Sequence, residues 1–369
     1  MNIKSVKDYI ALPLLYNHWY VAGTVTEFSE HPKAKILLEK SIVFYRTSSG
    51  ELTALQNRCL HRAYPLSKGK LEGDNIVCGY HGARFNTEGE LVRIPCQKRT
   101  PKLKLRKYPV KEIGPLVMIW MGDGEADESR YPESGLSHLA DPAVKILDGY
   151  YHVKGSYLFM QENLHDLTHI PYLHRESFNV DDRFFDAPPP EVTKTDRGVV
   201  AKQIHGEHTL RTFLTPSVLT AVEDKQLWRV DYDVAPSPGL HLNQIITGFG
   251  EKEGDGNESD LMNTHIMHFL TPETKTTCHY WFAISIDYFS SGDEAFLEAM
   301  PAFFERGFLE DLDACDSMQQ LLNTETGDFK DANFAGDKSG MLFRGVMLGW
   351  AKEEYADLIA SNKLAVDDA

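Results

Sequence analysis

Residues 59–85, CLHRAYPLSKGKLEGDNIVCGYHGARF, carry two Cys-His pairs, Cys59-x-His61 and Cys78-x-x-His81, with sixteen residues between them. Four ligand-type side chains split over two loops constrain the fold, because both loops must reach one point. Structural zinc sites draw on the same residue types but usually group the cysteines together and the histidines together. The mixed order suits two irons bridged by two sulfides, with two thiolates on one iron and two imidazoles on the other. Each loop then reaches both irons, and the two loops clamp the cluster. Gly79 and Gly82 flank the second pair and let the backbone approach the cluster, where N–H groups near sulfide raise its potential. Structural zinc stays open as the other reading. Cys96, in RIPCQ, stands apart and reads as a free, partly buried thiol.

The segment around these loops reads as short strands and tight turns. Residues 36–38 and 41–46 (ILL, SIVFYR) are β-rich, NTEG at 86–89 reads as a hairpin turn, and LVMIW at 116–120 is a buried-strand run. The polar, Gly- and Pro-punctuated GDGEADESRYPESG, residues 122–135, predicts a linker, so the chain divides into 1–125 and 126–369. The second part mixes a helix near 157–169, long strands between about 192 and 288, and helices at about 294–323 and 340–360, one α+β domain. EKEGDGNESD, residues 251–260, predicts a solvated turn between two strands.

With 369 residues, 42% hydrophobic and 25% charged, the chain is long enough for two folded domains. Its net charge of −16, without a dense Lys/Arg run, argues against nucleic acid. The N-terminal apolar residues are interrupted by Lys, Asp, Pro and Asn, which predicts neither a signal peptide nor a membrane span, and points to the cytoplasm. Five thinly spread cysteines make no disulfide framework and leave thiols available for metal.

A second constellation lies in ENLHDLTHIPYLH, residues 162–174, where Glu162, Asp166 and His169 fall on one face of a helix. Pro171 disfavours helix at Ile170, so the chain should distort there and let His169 and His174 turn toward one point. Two imidazoles and a carboxylate with open positions make the facial triad of non-haem Fe(II) oxygenases; a pair of structural histidines is the alternative. His165 and His169 have the spacing of a helical zinc site, but Asp166 stands where the metalloprotease motif needs Glu.

Helical phase nominates the carboxylate. In FFERGFLEDLDACDSMQQLL, Phe304, Phe308, Cys315, Met318 and Leu322 form an apolar stripe that contains Asp311, with Asp313 opposite and Glu310 and Asp316 off the stripe. A carboxylate on a buried face is costly unless paired or bound to metal, so Asp311 is the candidate third ligand, the alternatives being a frayed helix end or pairing with an arginine.

With these residues in place, the chain resembles the oxygenase component of a Rieske non-haem iron oxygenase. The two Cys-His pairs match the cluster motif, and Glu162-x3-Asp166-x2-His169-x4-His174 matches the mononuclear iron motif. HFLTPETKTTCHYWF, residues 268–282, further resembles the subgroup of vanillate O-demethylase and dicamba monooxygenase. The implied fold is α+β: an all-β Rieske [2Fe-2S] domain, then an α+β catalytic domain whose curved antiparallel sheet is packed by helices in a helix-grip arrangement.

The resemblance assigns Cys59, His61, Cys78 and His81 to the [2Fe-2S] cluster and His169, His174 and Asp311 to a mononuclear Fe(II); GFLED, 307–311, resembles the stretch ending in the ligand Asp. Asp166 matches the acid that links a cluster His to an iron His across a subunit boundary, which implies a head-to-tail homotrimer. It also implies a separate reductase or ferredoxin as electron donor, since the chain has no GxGxxG motif. The activity implied is monooxygenation of a small aromatic acid with O2, as hydroxylation or O- or N-demethylation. Ring cis-dihydroxylation and a non-catalytic electron carrier or zinc protein are the alternatives. His268 occupies a place that faces the pocket in the subgroup and is the candidate substrate residue.

Overall fold

The structure, a computed structural model, describes residues 3, 5–29, 31–141, 144, 146–178, 180, 182–195, 198–205, 227–249, 261–287, 294–325 and 331–356. The turn expected at 251–260 and the end of the last expected helix, 357–360, lie outside the described residues. Two compact units result. Helix α1 (Val6–Ile10) belongs with the C-terminal one.

The first unit, Tyr16–Ala140 with Thr271–Thr274, is built of three antiparallel sheets. One has the order β1 (Trp19–Thr24), β11 (Leu116–Trp120), β10 (Val110–Ile113). The LVMIW run is its central strand and is buried throughout, which is why it carries no polar alternation. The second sheet runs β2 (Lys33–Leu37), β3 (Lys40–Arg46), β4 (Leu52–Gln56), β9 (Lys107–Tyr108). Its first hairpin turns on Leu38 and Glu39 at φ 48° and 59°, without the Asn or Gly such a turn favours. Their N–H groups donate to the Pro272 and Glu273 carbonyls at 2.7 and 2.8 Å, which holds the turn from outside.

The third sheet carries the Cys-His loops: β5 (Lys70–Glu72), β6 (Asn75–Val77), β7 (Arg84–Phe85), β8 (Leu91–Arg93). The NTEG turn closes as expected, with Asn86 Oδ1 accepting from Glu88 N and Glu90 N and with Gly89 at φ 78°.

Residues 122–135 do not form a bare linker. Trp19 Nε1 donates to the Asp127 carbonyl at 3.2 Å and Arg130 to the Asn17 carbonyl at 3.1 Å, and helix α2 (Glu133–Ala140) buries Leu136 and Leu139. The anchoring groups, the Trp19 side chain and the Asn17 carbonyl, lie more than a hundred residues earlier in the chain, which polar composition could not reveal. The first unit therefore runs on to Ala140, past the 125/126 division expected from composition.

The second unit is a seven-stranded antiparallel sheet with helices. Its order is β12 (Ile146–Val153), β18 (Cys278–Asp287), β17 (Leu261–Pro272), β16 (Leu240–Phe249), β15 (Leu227–Ser237), β14 (Gly198–His205), β13 (Glu191–Thr195). From β13 to β18 it is a meander whose last strand returns to β12. Between β12 and β13 stand helices α3 (Tyr157–His165) and α4 (Ile170–Leu173), and after the sheet come α5 (Glu294–Thr324) and α6 (Lys338–Glu354). Helix α5 packs on α3 and β12, and α6 on α3, β13 and β14. Ser156 caps α3 by accepting from Leu158 N, and Tyr157 to Gln161 are all buried, so α3 is enclosed rather than amphipathic.

Candidate metal centres and active site

The two Cys-His loops are closed by the same pair of hydrogen bonds. Cys59 N donates to Tyr64 O and Ala63 N to Cys59 O, both at 3.0 Å; Cys78 N donates to Ala83 O at 2.8 Å and Gly82 N to Cys78 O at 3.0 Å. Each turn needs a positive φ at its fourth residue after the Cys, Ala63 at 55° and Gly82 at 72°. The glycines therefore have local reasons as well: a Cβ on Gly82 would sit 2.9 Å from Pro95 Cγ, and one on Gly79 3.0 Å from the Lys68 carbonyl oxygen.

This paired geometry brings all four side chains together. Cys59 and Cys78 are buried in a core with Val43, Tyr45, Leu66 and Phe85, and burial, with the Cys78 sulfur alongside, pushes the Cys59 thiol up. His61 and His81 are exposed, their Nδ1 atoms 3.2 Å apart. Two thiols inside and two imidazoles outside form a donor set with unlike ends, as a [2Fe-2S] cluster with one thiolate-bound and one imidazole-bound iron requires. Tyr80, 59% exposed, lies over His81 at 3.9 Å between ring centroids. Cys96 is exposed, not partly buried as expected, and takes no part.

In the second unit the helix ends earlier than expected. Asp166 is extended, at φ −124° and ψ 94°, and its Oδ1 accepts from Thr168 N at 2.9 Å and Thr168 Oγ1 at 2.6 Å. The break thus falls at Asp166 and not at Pro171, which sits comfortably in the first turn of α4 with Ile170 still helical. Glu162 consequently shares no helical face with Asp166 and His169; it pairs with Arg344 of α6 at 2.8 Å. Past the break, His169 and His174 turn toward each other with ring centroids 5.1 Å apart.

Asp311 meets them from α5. Its Oδ1 is 3.0 Å from His174 Nε2 and 3.4 Å from His169 Nε2, and it accepts from Asn163 Nδ2 at 2.8 Å. Ligand atoms of His169, His174 and Asp311 all lie within 4.8 Å of one another. Burial alone would raise the Asp311 carboxyl, but hydrogen bonds from His169 and His174 outweigh it and hold the group well below the usual carboxylate range. Of the expected apolar stripe, Phe308, Cys315 and Leu322 are buried and Phe304 is half-buried, but Met318 is exposed; Leu312 and Gln319 are buried beside them, Gln319 accepting from Ser156 N at 2.9 Å.

Both imidazoles are oriented from behind. His169 Nδ1 donates to the main-chain carbonyl of Asp166 at 2.6 Å, so that link does not use the Asp166 carboxylate. His174 Nδ1 donates to Glu310 Oε2 at 2.6 Å, and Ser177 Oγ donates to the same oxygen at 2.6 Å. Each ring therefore presents Nε2 toward Asp311. Helical phase puts Glu310 off the buried stripe, and its position next to Asp311 is the one signal in the sequence that points to it. His165 stays apart, buried and bonded to Ser339 Oγ at 3.0 Å. His268 is buried between Tyr280 OH and Asn243 Oδ1, each at 2.8 Å.

Residues 18–109 match the Rieske [2Fe-2S] domain and residues 153–353 the vanillate O-demethylase oxygenase C-terminal domain. The chain is a Rieske non-haem iron oxygenase. Its cofactors are a [2Fe-2S] cluster and a mononuclear iron, and the donor sets just described fit both. The oxygenase is 31% identical over 313 residues to the toluene-4-sulfonate monooxygenase system iron-sulfur subunit of Comamonas testosteroni, covering 83% of this chain and 88% of that one. It is 34% identical over 277 residues to the dicamba O-demethylase oxygenase component of Stenotrophomonas maltophilia, covering 73% and 77%. The structure of dicamba monooxygenase bound to dicamba superposes with a TM-score of 0.78 at 28% identity, over 93% of this oxygenase and 99% of that chain. Among the described residues no helix is long and apolar enough to cross a membrane.

Proposed function

We propose that the chain is the terminal oxygenase of a multicomponent monooxygenase that hydroxylates, or O- or N-demethylates, an aromatic acid, with electrons from an NAD(P)H-dependent reductase, directly or through a ferredoxin. The observation that carries this reading is the group His169, His174 and Asp311, three donors within 4.8 Å. Two imidazoles and one carboxylate hold iron and leave positions open. In this reading Cys59 and Cys78 hold one iron of the cluster and His61 and His81 the other. Bound at the second site, the iron supplies O2 activation.

The chain's own residues supply the orientation. Glu310 and the Asp166 carbonyl fix the two imidazoles with Nε2 inward, and the histidines keep Asp311 ionised. His268 is the proposed contact to a substrate oxygen: Asn243 Oδ1 can only accept, so His268 Nε2 is a donor for which that oxygen would compete. Vanillate and toluene-4-sulfonate, in the relatives' names, are aromatic anions, which supports an aromatic acid here.

Electron entry is proposed to cross a subunit boundary in a head-to-tail homotrimer, from His81 of one copy through Asp166 to His169 of the next. Leu60 and Tyr80, next to the proposed cluster ligands in the chain, and Tyr172, 68% exposed and packed on Phe185, are exposed apolar groups of the kind a subunit contact covers. A reducing cytoplasm accords with the five free cysteines.

The test is anaerobically purified protein with a promiscuous reductase, offered methoxylated, methylated and N-methyl aromatic acids. Formaldehyde release or a hydroxylated product coupled to O2 uptake is expected. A vicinal cis-diol carrying both atoms of labelled O2 would replace this reading with dihydroxylation. A colourless protein holding zinc, without acid-labile sulfide, would overturn it altogether.

A further inference from the structure

Gln161 and His165 stand one turn apart on α3, both buried, facing the start of β16. Gln161 Nε2 donates to the Pro238 carbonyl at 2.9 Å, and the His165 ring lies 4.7 Å from that of His241. His241 is directly opposite His268 in the β16–β17 register, so both project from the same face of the sheet. On that face the His268 ring meets Phe308, which lies about one turn before Asp311 on α5.

Among the described residues, Gln161 Oε1, His165 Nε2, Ser237 Oγ and both ring nitrogens of His241 have no hydrogen-bond partner, and all four residues are buried. Buried polar atoms are ordinarily satisfied, and one left unmade is destabilising. Gln161 is tied to Pro238, the residue after Ser237, and His165 faces His241, so the four residues lie where α3 meets the β15–β16 turn. Asp233 Oδ1, which accepts from Asn243 Nδ2, is 3.9 Å from His241 Nε2, a separation that a bridging oxygen spans. His268, directly opposite His241, differs in having both nitrogens bonded within the protein.

We propose that Gln161, His165, Ser237 and His241 surround a buried subsite for a neutral hydroxyl group, supplied either by ordered water or by the substrate. The inventory of donors and acceptors selects that chemistry. Gln161 Oε1 can only accept, a neutral imidazole offers one donor and one acceptor, and serine offers both. An anion would face the acceptors and a cation the donors, whereas a hydroxyl serves each in turn. Burial keeps the rings neutral, pushing His241 down to about 3 and His165 well below its ordinary value.

The substrate arm rests on the aromatic-acid reading above; the water arm does not. The experiment is a high-resolution crystal structure of the holoenzyme, free and with 3- or 4-hydroxybenzoate or the matching methylbenzoates. Affinities are measured for the same pairs in the wild type, His241→Phe and Gln161→Leu, with iron and sulfide content reporting folding. An ordered oxygen bonded to the His241 and His165 nitrogens is expected in the free enzyme. If the substrate supplies the hydroxyl, the hydroxybenzoate binds roughly tenfold tighter than its methyl isostere, displaces that oxygen, and loses the preference in either variant. If water supplies it, the oxygen stays in every complex and His241→Phe empties the site without changing ligand preference. A dry site in all structures, with the imidazoles turned onto protein partners, overturns the proposal. Failure of every benzoate to bind counts against the aromatic-acid reading, while the free structure still decides the subsite.

Discussion

His174 Nδ1 donates to Glu310 at 2.6 Å, while Nε2 of the same ring lies 3.0 Å from Asp311, the next residue of the chain. Two consecutive carboxylates of one helix thus hold opposite edges of one imidazole. Asp311 faces the metal group from the buried side of α5, and Glu310 reaches around the ring from a half-buried position, steadied by Ser177.

Glu310→Ala leaves His174 free to change tautomer and orientation. Its affinity for iron should fall about 10- to 100-fold, the usual cost of losing a ligand's supporting partner. Glu310→Gln, which can still accept from Nδ1, should retain most of the iron. Iron titration against a chelator, with acid-labile sulfide as the internal control, reads the difference. Equal iron in Glu310→Ala and wild type would remove Glu310 from this role.

Gly307 reaches the same ring by packing. A Cβ there would stand 2.3 Å from Phe178 Cζ, and the Phe178 ring lies 4.7 Å from the His174 ring. Gly307→Ala should therefore push Phe178 onto His174, costing about 1–3 kcal/mol in stability and lowering iron occupancy while leaving the cluster spectrum unchanged. Phe178→Leu in the same chain should relieve part of both effects.

The proposed inter-subunit route would make two inactive variants complementary. Cys78→Ser should lose the cluster and keep the mononuclear iron, Asp311→Ala the reverse, and each homo-oligomer should be inactive. Co-expressed, they should recover partial coupled turnover, because some subunit pairs join an intact cluster to an intact iron. Asp166→Asn should load both centres yet fail to couple them. Mixed oligomers with no activity at all would place electron transfer within one subunit.

Acid should destabilise the protein well above the carboxylate range. Burial pushes His241 and His268 down to about 3, and burial with the nearby Arg130 does the same for His18. These rings are neutral when folded and take up protons near pH 6.5 when unfolded, so their contribution is complete above 6.5 and is lost as pH falls toward 3. Each contributes a slope of up to about 1.4 kcal/mol per pH unit in that window. Urea midpoints measured from pH 7.5 to 4.5 should fall steadily below 6.5; a flat profile would mean the rings are not held neutral.

The amino-acid sequence by itself determined the donor chemistry: two Cys-His pairs in mixed order on two loops, two histidines five residues apart, and Asp311 on the buried phase of its helix. These are properties of residue type and short-range spacing, which bond lengths and helical period carry directly. Tertiary structure decided what stands behind the ligands. A helical wheel places Glu310 off the buried stripe, yet the imidazole it orients comes from a segment more than a hundred residues earlier. The same wheel joins Glu162 to Asp166 and His169 only if the helix continues, and the Asp166 side chain ends it by capping Thr168. Gln161, His165 and His241 look like ordinary core positions until α3 is laid against β16. Periodicity fixes which face a residue occupies; which other face it meets is settled only by packing distant elements into one core.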